Sequence, residues 1–472
     1  TFNTVLEAYM RTLTNRATCV IELDYLTDKV NEFIINAFES ACTEIIVKSK
    51  SHKPWFTKNL EQMRRKVNKL WNLQKNNNDA RVLYKQALTE YNKERKRAKR
   101  SSWTKFCESL TNVSSTSRMH KILSKNHANR IGTLKKGNGE YTKDIKESLK
   151  LLAETHFPDC EVGCFSVNSI NNTVLQESEL DIPLFSEEAI KWAVMSFSPF
   201  KAAGGDGIFP ALLQKGLSII LPFLKTAFTA SYLLSHIPKS WTKVNVVFIP
   251  KIGVNRPKDS PKSVRPISLM SFILKTMERV VEREIKESAL ANNPLHPLQF
   301  AYQEGKSTIA TLQSLVKRIE KTLNDKEILL ACFIDIEGAF DNTGFAVVEK
   351  ALTERNINSF IVKWNIALLK SQTFSIRLAG ETLQFRSVKG CPQGGILSPL
   401  LWSLVIDDAI RTLNEQYFHT EGYADDLVLT VKGKYASTVA GRMQEGLRII
   451  GNWCIENGLS INPQKVALVP FT

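Results

Sequence analysis

Two adjacent carboxylates, Asp425 and Asp426, interrupt the apolar stretch Gly422-Tyr-Ala-Asp-Asp-Leu-Val-Leu429. A third, Asp335, closes the short apolar run from Ile328 to Ile334. A run of that length and composition reads as a buried strand. A buried strand ending in a carboxylate complements a hairpin that carries two more at its turn. Three carboxylates brought together repel one another unless cations lie between them. Hard divalent ions with oxygen ligands, Mg²⁺ or alternatively Mn²⁺, offset that repulsion. Two such ions roughly 3.5–4 Å apart are the usual apparatus of nucleotidyl transfer. One activates a primer hydroxyl, and the other holds a triphosphate and its leaving group. An isolated Asp-Asp pair is equally compatible with a solvated turn, so the reading depends on its neighbours.

The elements that would position these groups are legible in part. From about residue 185 onward, strand-like runs such as Val244 to Ile249 alternate with amphipathic helices. Gln393-Gly394 is expected to open a helix whose core face is Ile396, Leu400, Leu401 and Leu404, with Asp407 and Asp408 solvated at its end. Upstream, residues 1 to 50 read as helical, with Ile34, Ile35 and Phe38 on one face. After a break at His52-Lys-Pro-Trp-Phe56, Leu60, Met63, Val67 and Leu70 keep helical spacing. A turn at Asn76-Asn-Asn-Asp79 leads to a second helix with Leu83, Ala87, Leu88 and Tyr91 apolar and Lys93 to Arg100 basic. Trp103 and Phe106 are expected to pack on a core, with stacking on bases as the alternative. Residues 130 to 180 are polar and read as a linker holding a short helix from Ile145 to Phe157. Lys201-Ala-Ala-Gly-Gly-Asp-Gly lacks the spacing of a phosphate loop and reads as a turn.

The chain has 472 residues, 43% of them hydrophobic, and a net charge of +16. From Lys48 to Lys105 there are 18 Lys and Arg against 4 Asp and Glu, a net +14. A block so one-sided points to a polyanion, most often nucleic acid. No unbroken apolar run of 18 residues occurs, so no membrane span or membrane partner is expected. The eight cysteines are scattered, and His156, Cys160 and Cys164 match no common zinc spacing. A reducing, intracellular compartment follows from that usage. The first and last residues suggest a piece of a longer polyprotein.

Four stretches taken in order carry a resemblance: Phe333-Ile-Asp-Ile-Glu-Gly-Ala-Phe-Asp341, Lys389-Gly-Cys-Pro-Gln-Gly-Gly-Ile-Leu-Ser-Pro399, Tyr423-Ala-Asp-Asp426 and Gly458-Leu-Ser-Ile-Asn-Pro-Gln-Lys465. They resemble motifs A to D of reverse transcriptases. Arg265-Pro-Ile-Ser-Leu269, Lys201 to Ile208 and Gln299 to Thr308 resemble the upstream motifs of non-LTR, LINE-type retrotransposon enzymes. The likeness is close over residues 185 to 472 and loose over the basic hairpin. Gln303 departs from it, standing where the family commonly has Arg.

The resemblance implies an α+β fold with right-hand fingers and palm, the antiparallel palm sheet backed by helices and preceded by an α-helical extension. The implied division is an extension over 1–110 with the basic hairpin, a linker with short helices over 111–184, and fingers and palm over 185–472, without a thumb. It implies RNA-directed DNA polymerase activity that adds dNTPs to a primer 3′-hydroxyl on template RNA, in target-primed reverse transcription. By the same likeness Asp335 and Asp425 ligate both metals, Asp426 is a less constant ligand, and the Ile336 carbonyl completes one shell. Phe340 matches the aromatic under the nucleotide sugar, where a ring leaves no room for a 2′-hydroxyl. Gly394 admits close backbone approach to the template–nucleotide pair, and Gln393 bonds near the nucleotide. Arg265 pairs the triphosphate, with Lys251 and Lys275 as weaker candidates. Lys465 protonates the leaving pyrophosphate. Arg95, Lys96, Arg97, Lys99 and Arg100 are the expected phosphate contacts of the hairpin. The nucleus and a cytoplasmic ribonucleoprotein are the implied locations. Two other readings stand beside this one. An RNA-dependent RNA polymerase would use Asp341 to read a ribose, and Phe340 argues against it. A non-catalytic nucleic-acid-binding remnant is opposed by the intact Asp335, Asp425 and Asp426.

Overall fold

The run ending in Asp335 is a strand in the computed structural model, which describes residues 1–42, 53–73, 78–110, 116, 119, 132–163, 173–176, 182–251 and 259–472. In chain order the described strands are β1 (Glu161–Val162), β2 (Lys243–Pro250), β3 (Val264–Leu269), β4 (Ile328–Asp335), β5 (Thr373–Leu378), β6 (Glu381–Arg386), β7 (His419–Tyr423), β8 (Asp426–Gly433) and β9 (Ala467–Phe471). They form two sheets, ordered β1-β6-β5-β2-β3 and β7-β8-β4-β9. In the four-stranded sheet every pairing is antiparallel, and β4 runs between β8 and β9. Leu329, Ala331, Cys332 and Ile334 of β4 are buried, which accounts for its unbroken apolar composition. In the stretches 1–42 and 132–472, helices and sheets pack on a main hydrophobic core, an α+β arrangement.

The chain divides into two units, Thr1–Thr43 with Ile131–Thr472, and Glu44–Arg130. The expected extension over 1–110 is therefore split. Its first part holds helices Phe2–Met10 and Val20–Ala41, which pack on helix Pro210–Leu234 of the larger unit. Leu23, Leu26, Val30 and Ile34 are buried there, and Phe38 meets Phe209 edge-on at 5.6 Å. A Cβ on Gly216 would come within 2.7 Å of Leu6, so glycine permits the close approach. Helix Pro210–Leu234 is long and apolar enough by composition to cross a membrane. Here its length is spent in the core, with Leu213, Ile220, Leu224, Phe228 and Ala230 buried.

The expected linker is also partly folded into the larger unit. Helix Ile145–His156 is capped by Asp144, whose side chain accepts from the Glu147 amide. Beyond it, β1 adds to β6 through Glu161↔Arg386 and Val162↔Phe385.

The second unit is a pair of helices, Lys58–Leu73 and Asn78–Glu108. Asn76 and Asn77 of the expected turn lie outside the described residues. Among the described residues of this unit, Leu60, Val67 and Ala80 are the buried hydrophobics. Trp103 and Phe106 do not pack on a core as expected. They stay 46% and 41% exposed and lie against each other at 5.7 Å. A pair of helices this polar has no core deep enough to take them.

Candidate active site

The backbone brings the carboxylates together. In β7–β8 Tyr423 pairs with Asp426, leaving Ala424 and Asp425 as a two-residue turn. Ala424 takes φ +57°, unusual for a residue with a Cβ. The turn is pinned there by the Trp402 Nε1 donating to the Ala424 carbonyl at 2.9 Å and the Ile336 amide donating to the Asp425 carbonyl at 3.2 Å. A Cβ on Gly422 would come within 2.6 Å of Ile410 Cδ1, so a larger residue there would have to displace the end of that side chain. The β4–β8 register sets Asp335 directly opposite Asp426. Burial raises the pKa of Asp426, with Asp425 and Asp335 adding to the shift and Lys465 opposing it.

The segment from Ser460 to Lys465 closes over the end of β4. The Asn462 amide donates to the Asp335 carbonyl at 3.0 Å and the Glu337 amide to the Ser460 carbonyl at 2.8 Å. Ile336 bridges Ile461. This places the Lys465 ammonium 2.6 Å from Asp335 Oδ1, on a proposed metal ligand. Among the described residues no three His, Cys, Asp or Glu side chains are drawn together closely enough to hold a metal ion. The chemistry of the donors nevertheless suits a hard divalent cation: carboxylates whose mutual repulsion registers at Asp426, beside a backbone carbonyl at Ile336.

Asp335, Ile336, Phe340, Gln393, Asp425, Lys465, Arg265 and Lys251 line one cleft of about 750 Å³. Asp426, Gly394 and Lys275 are not among its lining residues. Phe340 sits on the short helix Ala339–Asn342, half-buried, 6.2 Å from Trp402. Its carbonyl accepts from the Cys391 amide at 2.7 Å, and the Thr343 carbonyl accepts from Gly390 at 2.8 Å. Those two bonds join the segment after β4 to the Lys389–Gly395 loop. Gln393 Nε2 donates to Asp341 Oδ1 at 3.2 Å. Burial pushes Asp341 up to about 7, with Gln393 and Lys251 opposing.

Two sequence expectations are corrected here. The helix opens at Ser398, not at Gln393-Gly394. Gly394 instead has φ +130°, and a Cβ on it would lie 2.4 Å from the Ser268 carbonyl oxygen, so the glycine lets the loop press on β3. Asp407 is not solvated. Wholly buried, it accepts from Arg355 and, at 2.6 Å each, from Arg411 Nε and the His296 amide. Asp408 is exposed but accepts from Trp453 Nε1 at 2.8 Å. Lys275 lies over the Phe272 ring at 5.0 Å, its pKa lowered by burial against the pull of Glu278 and Asp206.

Sequence reading missed several groups. Glu278, 2% exposed on helix Phe272–Glu287, accepts from the Ile396 amide at 3.4 Å and backs the loop that carries Gln393. Burial pushes it up to about 7. Only its place among apolar helix positions could have signalled it. Thr155, His156, Pro158 and Lys262 also line the cleft. Cys164, the third residue of the His156 and Cys160 group, lies outside the described residues, and His156 Nε2 is 3.0 Å from the Pro261 carbonyl. Gln303, the departure from the family pattern, donates to the Gln299 carbonyl at 2.6 Å.

In the second unit Lys96, Arg97, Lys99 and Arg100 are exposed and Arg95 is half-buried. Arg95 lies 5.8 Å from the Tyr91 ring centroid and Lys99 4.8 Å from that of Trp55.

A carboxylate-bearing hairpin is thus set against a carboxylate-ended strand, with an arginine and an aromatic in the adjoining cleft. Residues 250–470 match the family "Reverse transcriptase (RNA-dependent DNA polymerase)". That family uses divalent metal ions. The similar curated proteins come from transposable elements. The chain is 28% identical over 351 residues to the "Probable RNA-directed DNA polymerase from transposon BS" of Drosophila melanogaster, covering 71% of this chain and 38% of that protein. It is 23% identical over 378 residues to the Pol polyprotein of the type-1 retrotransposable element R1 of Bradysia coprophila, covering 79% of this chain and 36% of the relative. It is 27% identical over 294 residues to the RNA-directed DNA polymerase of the mobile element jockey of Drosophila funebris, covering 60% and 31%. The chain thus spans less than two fifths of the length of these relatives.

Proposed function

We propose that the protein is an RNA-directed DNA polymerase of a non-LTR retrotransposon, extending a primer 3′-hydroxyl with dNTPs on an RNA template. The observation that carries this reading is the register that faces Asp335 and Asp426 across β4–β8, with Asp425 at the turn; Asp335 and Asp425 line the cleft together with Arg265, Phe340 and Gln393. The four-stranded sheet is then the palm, and the five-stranded sheet belongs to the fingers. Asp335, Asp425, Asp426 and the Ile336 carbonyl would hold two Mg²⁺ ions, which supply a Lewis acid for the primer hydroxyl and charge neutralisation for the triphosphate.

The chain's own groups supply the rest. Arg265 and Lys251 face phosphate oxygens, Arg265 through its fork of donors. Phe340 fills the space a 2′-hydroxyl would need. Lys465 carries a proton at Nζ beside Asp335, within the cleft where pyrophosphate leaves, and donates it there. The Lys389–Gly395 loop positions the nucleotide against the template. The basic hairpin holds nucleic acid by its phosphates. Target-primed synthesis in the nucleus, from a ribonucleoprotein assembled in the cytoplasm, fits this class of element.

Primer extension on an RNA template, with dNTPs and separately with NTPs, tests the proposal. DNA products that require a divalent ion support it. RNA products would favour an RNA polymerase, and binding without extension a non-catalytic role. The Asp341 carboxylate, which a ribose-reading polymerase would need, is already engaged by Gln393. Shrinking Phe340 to Val should raise ribonucleotide use about tenfold or more relative to dNTPs. An unchanged ratio would reduce the ring to core packing.

A further inference from the structure

One wall of the cleft comes from residues that precede the 250–470 match. Thr155, His156 and Pro158, at the end of helix Ile145–His156, line it beside Lys262 and Arg265. This wall is firmly held. Phe157 packs against Phe374 at 5.0 Å and Phe385 at 4.9 Å. Lys389 Nζ lies 2.7 Å from Asp159, tying the end of the wall to the loop that carries Gln393.

His156 is 5% exposed, with its ring 5.5 Å from that of Phe248. A carbonyl can only accept, so the 3.0 Å contact with Pro261 requires a proton on Nε2. Burial, with Lys251 and Lys262 nearby, holds the imidazole below its ordinary pKa, which keeps it neutral. Pro261 opens a 3-10 turn, Pro261–Ser263, and β3 with Arg265 follows at once. That turn has no side-chain cap. Besides its own Ser260–Ser263 bonds, it is tied by the Lys251 amide donating to the Ser263 carbonyl at 2.8 Å, by the Lys262–Glu337 pair at 3.2 Å, and by the β2–β3 pairing that begins beside it at Pro250↔Val264 and Ile249↔Arg265. The pair is exposed, and such pairs contribute little. The bond from His156, whose side chain is almost wholly buried, ties the turn to helix Ile145–His156.

We propose that His156 is a positioning residue for the nucleotide triphosphate: by donating to the Pro261 carbonyl it fixes the turn that presents Lys262 and Arg265 to the cleft. This rests on the polymerase reading of the cleft. His156 itself does not bind phosphate. It acts through the backbone that carries the cations.

The test uses the 472-residue chain with a primer–template duplex, measuring both dNTP binding at equilibrium and single-nucleotide incorporation. His156→Phe keeps the ring against Phe248 and removes the donor. It should raise dNTP Kd and KM about tenfold, the scale of one buried hydrogen bond, with kcat within about twofold. His156→Gln, which returns an N–H near the place of Nε2, should recover most of the loss. In an Arg265→Gln background His156→Phe should add little. Should the Phe variant fail to fold, His156→Asn, whose amide falls short of Pro261, replaces it. An unchanged Kd, a loss confined to kcat, no recovery with Gln, or a full additional effect on Arg265→Gln would each overturn the proposal. A parent chain that binds dNTP yet extends no primer would overturn the polymerase reading alone, and the Kd comparison would still decide on His156. A parent that binds no dNTP overturns both.

Discussion

The cleft and the basic hairpin hold their functional residues by different physics. In the cleft each group is fixed by backbone: Asp335 and Asp426 by register, Asp425 by a turn bonded on both sides, Gln393 by a glycine pressed on β3. In the hairpin the basic residues ride on exposed helix faces with few buried neighbours. Geometry that is over-determined fails sharply when one atom is wrong. A field of charge fails gradually, one phosphate at a time.

The largest expected effect follows from this difference. Asp335→Ala or Asp425→Ala should lower nucleotide incorporation by a factor on the order of 10³ or more, while RNA affinity stays within about twofold. Near-normal extension by either variant would show that the register does not build the active site. Gly394→Ala comes next. Its backbone at φ +130° strains any residue with a Cβ by about 1–3 kcal/mol, before the contact with the Ser268 carbonyl is counted. The melting temperature should fall and incorporation should drop at least tenfold. An alanine variant with parental activity would mean that the loop is free to move off β3.

The hairpin should respond in degree. Replacing Arg95, Lys96, Arg97, Lys99 and Arg100 with Gln should weaken RNA binding and flatten its salt dependence by roughly 0.7–0.9 in log–log slope for each phosphate that is no longer neutralised. Arg95, half-buried against Tyr91, should contribute least. Parallel salt titrations for parent and variant would remove the hairpin from the nucleic-acid interface.

The smallest effect concerns Glu278. Its folded pKa is raised to about 7 from an ordinary value near 4.5. Between those values the folded state holds a proton that the unfolded state has lost. Stability from this group is therefore present below about pH 4.5 and disappears as pH rises through 7, a change on the order of 1–3 kcal/mol. Glu278→Gln should abolish that component, so that the variant gains on the parent as pH rises from 5 to 8. Chemical denaturation at several pH values checks it. A constant difference between the two proteins would show that Glu278 is ionised in the fold throughout.

Much of the site was legible because its signals are local. The alternation and length of apolar runs identify β2, β4 and the helix after Ser398, since burial recurs with the period of the backbone. The Asp-Asp turn and the carboxylate closing a strand stand out because like charges in apolar surroundings are costly. The charge of the hairpin needs only counting. None of these signals depends on which distant residue is a neighbour.

Tertiary structure decided what distant neighbours impose. Asp407 has the composition of a solvated helix end, yet Arg355, Arg411 and the His296 amide bury it. Thr1–Thr43 looked continuous with the hairpin, but its apolar face is complementary to helix Pro210–Leu234, which lies far along the chain. Lys465 is brought to Asp335 by backbone bonds across 130 residues of sequence separation. His156 reaches Pro261 only because its helix packs on the five-stranded sheet. Local periodicity records whether a side chain is buried, since that depends on the element's own geometry. It does not record the partner, because a buried position accepts any group whose shape and polarity the completed core can satisfy.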